Sequence, residues 1–132
     1  DLAAHLPPRL WSSHNLHRDP TCEVGLFFLS RGQSIPLHDH PRLRVWMRLL
    51  VGRIQVTSYT WRTPPLAARH VTTLDPQSPV WQVDPVHDNL HELLALDDLC
   101  FLDVLRPPYI DGRVCTYYAA TPHGELWQLR PT

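Results

Sequence analysis

Gly32-Gln33-Ser34-Ile35-Pro36-Leu37-His38-Asp39-His40, answered much later by Asn89-Leu90-His91, is the stretch on which the reading of this chain turns. Side chains alternate between the two faces of a β-strand. On a strand, His38 and His40 therefore present two imidazoles in one direction while Asp39 points away. Imidazole nitrogen binds iron, zinc, copper and nickel well. A third ligand from a distant strand would complete a face, and His91 is the candidate. Three ligands on one face leave the other coordination positions for water, oxygen or substrate. The chain holds nine histidines, so the His-x-His pair alone leaves a chance arrangement open.

Outward from this stretch the chain reads as many short strands. Fourteen prolines stand against five glycines, and Pro7-Pro8, Pro64-Pro65, Pro76, Pro79, Pro85 and Pro107-Pro108 punctuate it. Proline interrupts helices and central strands, so these positions mark connections. Strands are expected over residues 22–30, 37–40, 44–51 and 53–61. Gly52 between the last two predicts a hairpin. Residues 61–69 read as a proline-rich connection, and 71–74 and 80–83 as short strands. Residues 89–96 (NLHELLAL) have helical propensity. They read as strand because residues 99–105 follow closely, with Asp97-Asp98 as a hairpin turn. Strands over 114–121 and 125–129 close the sheet, and residues 1–19 form an irregular N-terminal lead-in. Eight to ten short strands without a long helix predict an all-β barrel or jelly roll. The whole of 1–132 is expected to be a single domain.

Composition excludes some functions. Hydrophobic residues make up 43% and charged residues 19%, as in a globular chain. The net charge of −1 offers no basic excess to neutralise phosphates, which argues against a nucleic-acid partner. No apolar run reaches the roughly 20 residues of a membrane span, so no membrane association is expected. Cys22, Cys100 and Cys115 are odd in number and lack a CxxC spacing. Reduced thiols in an intracellular, cytoplasmic setting are expected, in a protein acting as a monomer.

The frame around the histidines, Gly32, five residues, His38-x-His40 and a later Gly52, is similar to the first motif of the cupin superfamily. Asn89-Leu90-His91 resembles its second motif. Val45 stands where many cupins carry a metal-binding glutamate. A neutral three-histidine set resembles the thiol dioxygenases, in the branch containing cysteamine dioxygenase and the plant cysteine oxidases. That resemblance also rests on Ile35-Pro36-Leu37-His38-Asp39-His40-Pro41, Asn89-Leu90-His91-Glu92, Leu102-Asp103-Val104-Leu105, Pro107-Pro108-Tyr109 and Cys115-Thr116-Tyr117-Tyr118. It covers residues 22–118. Two departures stand out: Arg42 and Asp88 replace glycines of the family pattern.

The resemblance implies a cupin double-stranded β-helix with Fe(II) held by His38, His40 and His91. It implies site roles for Asp103 and Tyr109, which would orient the substrate, and for Cys115 and Tyr117, which would lie close enough for a thioether link. The implied activity adds both atoms of O2 to a thiol to give a sulfinic acid. The implied substrate is cysteamine or the N-terminal cysteine of a peptide or protein, and in the second case the chain would be an oxygen-dependent trigger of protein degradation. Two other readings remain. Three histidines and a water also describe a catalytic zinc centre, hence a cupin hydrolase or lyase, although Glu92 would face away from His91. A cupin barrel can also serve as a non-catalytic binding module.

Overall fold

The computed structural model describes residues 12–108 and 115–132. The described residues form eleven strands: β1 (Ser12–Arg18), β2 (Glu23–Leu29), β3 (Ser34–His38), β4 (Arg44–Val51), β5 (Ile54–Trp61), β6 (Leu66–Leu74), β7 (Trp81–Val83), β8 (Leu90–Ala95), β9 (Leu99–Arg106), β10 (Tyr118–His123) and β11 (Leu126–Pro131). The described residues include no helix. The strands form two antiparallel sheets, β1-β2-β9-β4-β7 and β10-β11-β6-β5-β8-β3. An isolated bridge between His38 and Tyr117 brings the two ends of the second sheet together. Leu29, Met47, Leu49 and Phe101 from the first sheet pack against Ile35, Ile54, Val56 and Leu93 from the second, forming the main core.

Residues 90–95 are a strand despite their helical propensity. Leu90, His91, Leu93 and Ala95 are all buried between β5 and β3, and this packing outweighs a preference worth only tenths of a kcal/mol per residue. Several expectations need correction. The lead-in is not irregular throughout, because Ser12–Arg18 pairs along β2 as β1. Every β1 residue is exposed, so burial left no periodic mark in the sequence. The connection predicted over 61–69 is shorter: β6 begins at Leu66, directly after Pro65, and Ala67 is fully buried opposite Trp61.

Neither Gly52 nor Asp97-Asp98 closes a hairpin. Each instead carries the chain from one sheet to the other, since β4 and β9 lie in the first sheet and β5 and β8 in the second. The crossings meet. Arg53 Nε donates to Asp97 Oδ2 at 2.8 Å, Leu96 N to Arg53 O at 3.0 Å, and Arg31 N to Asp98 Oδ1 at 2.9 Å. Gly52 has φ +81°, and a Cβ there would lie 2.5 Å from the Asp98 carbonyl oxygen. Gly52→Ala is therefore expected to destabilise the protein by about 3 kcal/mol, since strain and overlap add. Thermal denaturation of the metal-free protein should show Tm lowered by roughly 10 °C. An unchanged Tm would mean that the crossings are not packed as described.

Candidate metal centre

β3 does not keep strict alternation. Ile35 lies opposite Leu93, but His38 lies opposite His91, so β3 carries one residue more than β8 between these pairs. Regular pairing would have placed Leu37 on the face of Ile35. The bulge places His38 there instead. Pro36 sits inside the irregularity, where a residue without an N–H loses no ladder bond. Its carbonyl oxygen, which can only accept, takes a hydrogen bond from His38 Nδ1 at 2.7 Å. Leu37 turns to the opposite face and joins Tyr59, Leu90 and Leu129 in a second apolar cluster.

β3 ends at His38, short of the strand expected to reach His40. Asn89 holds His40 in place. His40 N donates to Asn89 Oδ1 at 2.9 Å, and Asn89 Nδ2 donates to His40 O at 2.8 Å and to Asp84 O at 3.0 Å. The Asn89 carbonyl accepts from His40 Nδ1 at 2.8 Å. The sequence reading used Asn89 only as a motif letter and missed this role. The available signal was a polar amide in an apolar strand beside a candidate ligand. His91 sits opposite both His38 and Ser58, with the Trp81 ring edge-on at 5.1 Å. The Asp88 backbone favours the protonated form of His91, yet the buried Nδ1 has no partner in good hydrogen-bond geometry.

The structure brings the three predicted rings together. Centroid separations are 4.7 Å for His38–His40, 5.1 Å for His38–His91 and 4.2 Å for His40–His91. One nitrogen from each ring lies within 4.8 Å of the others. Burial lowers all three pKa values: His38 below its ordinary value, His40 to about 3 and His91 far down. The rings are therefore neutral near pH 7, as metal ligation requires. Nδ1 of His38 and of His40 is committed to a carbonyl, which leaves Nε2 as the lone-pair donor. Among the described residues no carboxylate joins this group. Val45 is buried with Leu43, Val83 and Leu105. Glu92 acts electrostatically on Tyr59, whose face of β5 is opposite that of Ser58 and the histidines. The donor set fits a divalent transition-metal ion with open coordination positions.

A cavity of about 440 Å³ opens onto the histidines, with Phe27, Phe101, Asp103, Leu105, Cys115 and Tyr117 in its wall. Asp103, on β9 between Gly25 and Met47, has a buried Oδ1 without a hydrogen-bond partner. Burial raises its pKa to about 8. Asp39, pointing away from the triad as expected, grips the segment carrying Cys115 and Tyr117. It accepts from Thr116 N at 2.7 Å and from Tyr118 OH at 3.4 Å, and its own N–H donates to Thr116 O at 3.1 Å. The Tyr117 ring stands 5.8 Å from that of His38. Burial raises the Cys115 pKa, and a side-chain hydrogen bond with Tyr117 opposes that rise. Tyr109 lies outside the described residues, as does His5.

His87 is exposed and pairs with Asp84 at 3.1 Å, away from the triad. Arg42 (φ 62°) and Asp88 (φ 54°), which stand where the resembled pattern has glycine, are the positive-φ non-glycine residues of the described chain. Asp tolerates this conformation better than most residues. Asp88 is also anchored by Ser58 Oγ, which donates to its Oδ1 at 2.9 Å. Both positions thus adopt the left-handed conformation without glycine.

Two sheets joined by crossings and enclosing three convergent histidines define a cupin. The fold is similar to an RmlC-like cupin from Desulfovibrio desulfuricans, with TM-score 0.59 and 16% identity over 77% of this chain and 87% of that one. It is also similar to KdgF from a Halomonas species, with TM-score 0.59 and 17% identity over 75% and 86%. Within that fold class, the chain belongs to the PCO_ADO family, whose model matches residues 5–130. It is 30% identical to 2-aminoethanethiol dioxygenase of Mus musculus, over 89% of this chain and 56% of that protein. It is 30% identical to plant cysteine oxidase 1 of Arabidopsis thaliana, over 85% and 42%. The chain thus spans about half the length of these relatives.

Proposed function

We propose that this protein is a non-haem Fe(II) thiol dioxygenase that oxidises cysteamine or the N-terminal cysteine of a peptide or protein to a sulfinic acid. The observation that carries the reading is the neutral triad, which no carboxylate joins among the described residues, facing a cavity that also holds a buried Asp103 oxygen without a hydrogen-bond partner. Relatives named 2-aminoethanethiol dioxygenase and plant cysteine oxidase support it. The overall reaction, R–SH + O2 → R–SO2H, needs no external reductant, because sulfur supplies all four electrons that O2 accepts.

Fe(II), when bound by His38, His40 and His91, would supply the site at which thiol and O2 meet. Three neutral imidazoles bring no negative charge, so the site favours a substrate sulfur that arrives as thiolate. Asp103, whose pKa burial raises to about 8, gains from ionising beside a substrate ammonium and so orients the amine end. Tyr117, hydrogen-bonded to Cys115, borders the same space and limits how sulfur can lie. Tyr109 takes a substrate-orienting role only by its place in the family pattern. Phe27, Phe101 and Leu105 keep the cavity wall apolar and exclude water. Glu92, the carboxylate next to His91 in sequence, is turned away and cannot serve a hydrolase built on the same three histidines as a general base.

The test is anaerobic reconstitution with Fe(II), then O2 with a panel of aminothiols and Cys-initiated peptides, read by mass spectrometry. Addition of two oxygen atoms to sulfur is expected. No addition to any member of the panel refutes the proposal.

A further inference from the structure

We propose that His17, Asp19 and Cys22 form a second metal site, separate from the histidine triad, that binds zinc and pins the exposed strand β1 to β2.

The three residues come from one tight turn. β1 ends at Arg18 and β2 begins at Glu23, and Asp19 N donates to Cys22 O at 3.0 Å to close the connection between them. Asp19 and Cys22 therefore face each other across the turn. A bulge in β1 brings His17 to them. Asn15 lies opposite Gly25, but His17 lies opposite Val24 and Arg18 opposite Glu23, so β1 carries one residue more than β2. Unbroken alternation would have pointed His17 toward the cavity that Asn15 lines. The extra residue reverses the parity. Arg18 lines the cavity instead, and His17 turns to the outer side. There one donor atom from each of His17, Asp19 and Cys22 lies within 4.8 Å of the others.

Asp19 is set in place by the turn itself. Its Oδ1 accepts from Thr21 N at 2.7 Å, from Thr21 Oγ1 at 2.6 Å and from Cys22 N at 3.0 Å. Oδ2 is left to face His17 Nε2 at 2.6 Å. The Thr21 hydroxyl, and after it His17, hold the Asp19 pKa well below the usual carboxylate range, so the group is charged near pH 7. Bonds of about 2.0–2.2 Å at a tetrahedral ion put nitrogen and oxygen ligands roughly 3.3 Å apart, so an ion enters once the imidazole swings back by roughly 0.7 Å. The His17 side chain is 55% exposed and free to make that movement. Cys22 is a free thiol and would ligate as thiolate, releasing its proton to solvent.

The donor set selects the ion. Thiolate, imidazole and carboxylate together suit zinc, whereas magnesium and calcium take oxygen ligands. The triad offers nitrogen alone, so the two sites differ in chemistry. Three protein ligands leave a fourth position at the outer site for water. Every residue of β1 is exposed, so burial does little to hold this strand, and an ion gripping both sides of its turn would hold it more firmly.

The experiment titrates Co(II), which adopts the tetrahedral geometry of zinc and reports its ligands by absorption, into the full chain loaded anaerobically with Fe(II). A thiolate-to-cobalt charge-transfer band is expected, saturating at one Co(II) per chain and abolished by zinc. Affinity should fall by at least about 100-fold in Cys22→Ser and in His17→Gln, since each removes a ligand outright. The band depends on Cys22 whether or not the triad holds iron. No band, or a band unchanged in both variants, overturns the site. Hydrogen exchange then reads the pinning. Amides of β1 that open with the turn should exchange about 100-fold more slowly when free zinc is about 100 times its Kd, and Cys22→Ser should remove that protection. Exchange indifferent to zinc overturns the pinning of β1.

Discussion

His91→Ala is expected to yield a folded protein that neither retains iron nor oxidises thiols. The triad is three neutral nitrogens with no carboxylate in reserve among the described residues, so the loss of one ring leaves a two-ligand site. Loss of supporting second-sphere groups alone costs metal affinity about 10–100-fold, and removing a ligand should exceed the upper figure. The main core of Leu29, Ile35, Met47, Ile54, Val56 and Phe101 does not include His91, so the metal-free variant should keep its cooperative thermal transition. Iron per chain after desalting, thermal melting and turnover are the three measurements. Stoichiometric iron in the variant would refute the assignment of His91.

Asp103→Asn is expected to lower turnover by about 100-fold, because the substrate amine loses the group that orients it, while making the metal-free protein more stable at pH 8. The carboxyl group is buried, one oxygen has no partner, and its pKa is raised from 3.8 to about 8. A group whose folded-state pKa is raised contributes stability that is fully present below its unfolded pKa. That contribution is lost as pH rises through the folded pKa. The metal-free wild type should therefore lose stability between about pH 4 and 8. Asn carries no such proton, and the variant should escape that decline, gaining several kcal/mol at pH 8, up to about 5 kcal/mol for the full shift. His40 and His91 act in the opposite sense, because their folded pKa values are depressed. Stability from them is lost as pH falls below about 6.5, in wild type and variant alike. Melting curves from pH 5 to 9 separate the two limbs. A variant less stable than wild type at pH 8 would mean that the carboxylate is satisfied in the fold and not held ready for substrate.

Much of the centre was legible in one dimension. Two histidines at spacing two and a third beside an asparagine are chemical statements that survive without coordinates. Val45 was legible in the same way, because an apolar residue cannot ligate. Strand existence was legible wherever one face is buried, as in β4 and β9, since burial writes a period of two into the chain. β1 escaped because it buries neither face.

The residue types and their order set the donor atoms on offer at the candidate centre and the all-β class, because each follows from side-chain identity or from a period that burial imposes. Tertiary structure alone decided which sheet each strand joins, since a turn at Gly52 or Asp97-Asp98 has the same composition whether it folds back or crosses over. It alone decided that His38 and Arg18 face inward. Each direction depends on a single extra residue in a ladder, and a bulge exchanges the faces of a strand without altering its composition. Asn89 acquired its role in the same way, through contacts with His40 that lie far apart along the chain.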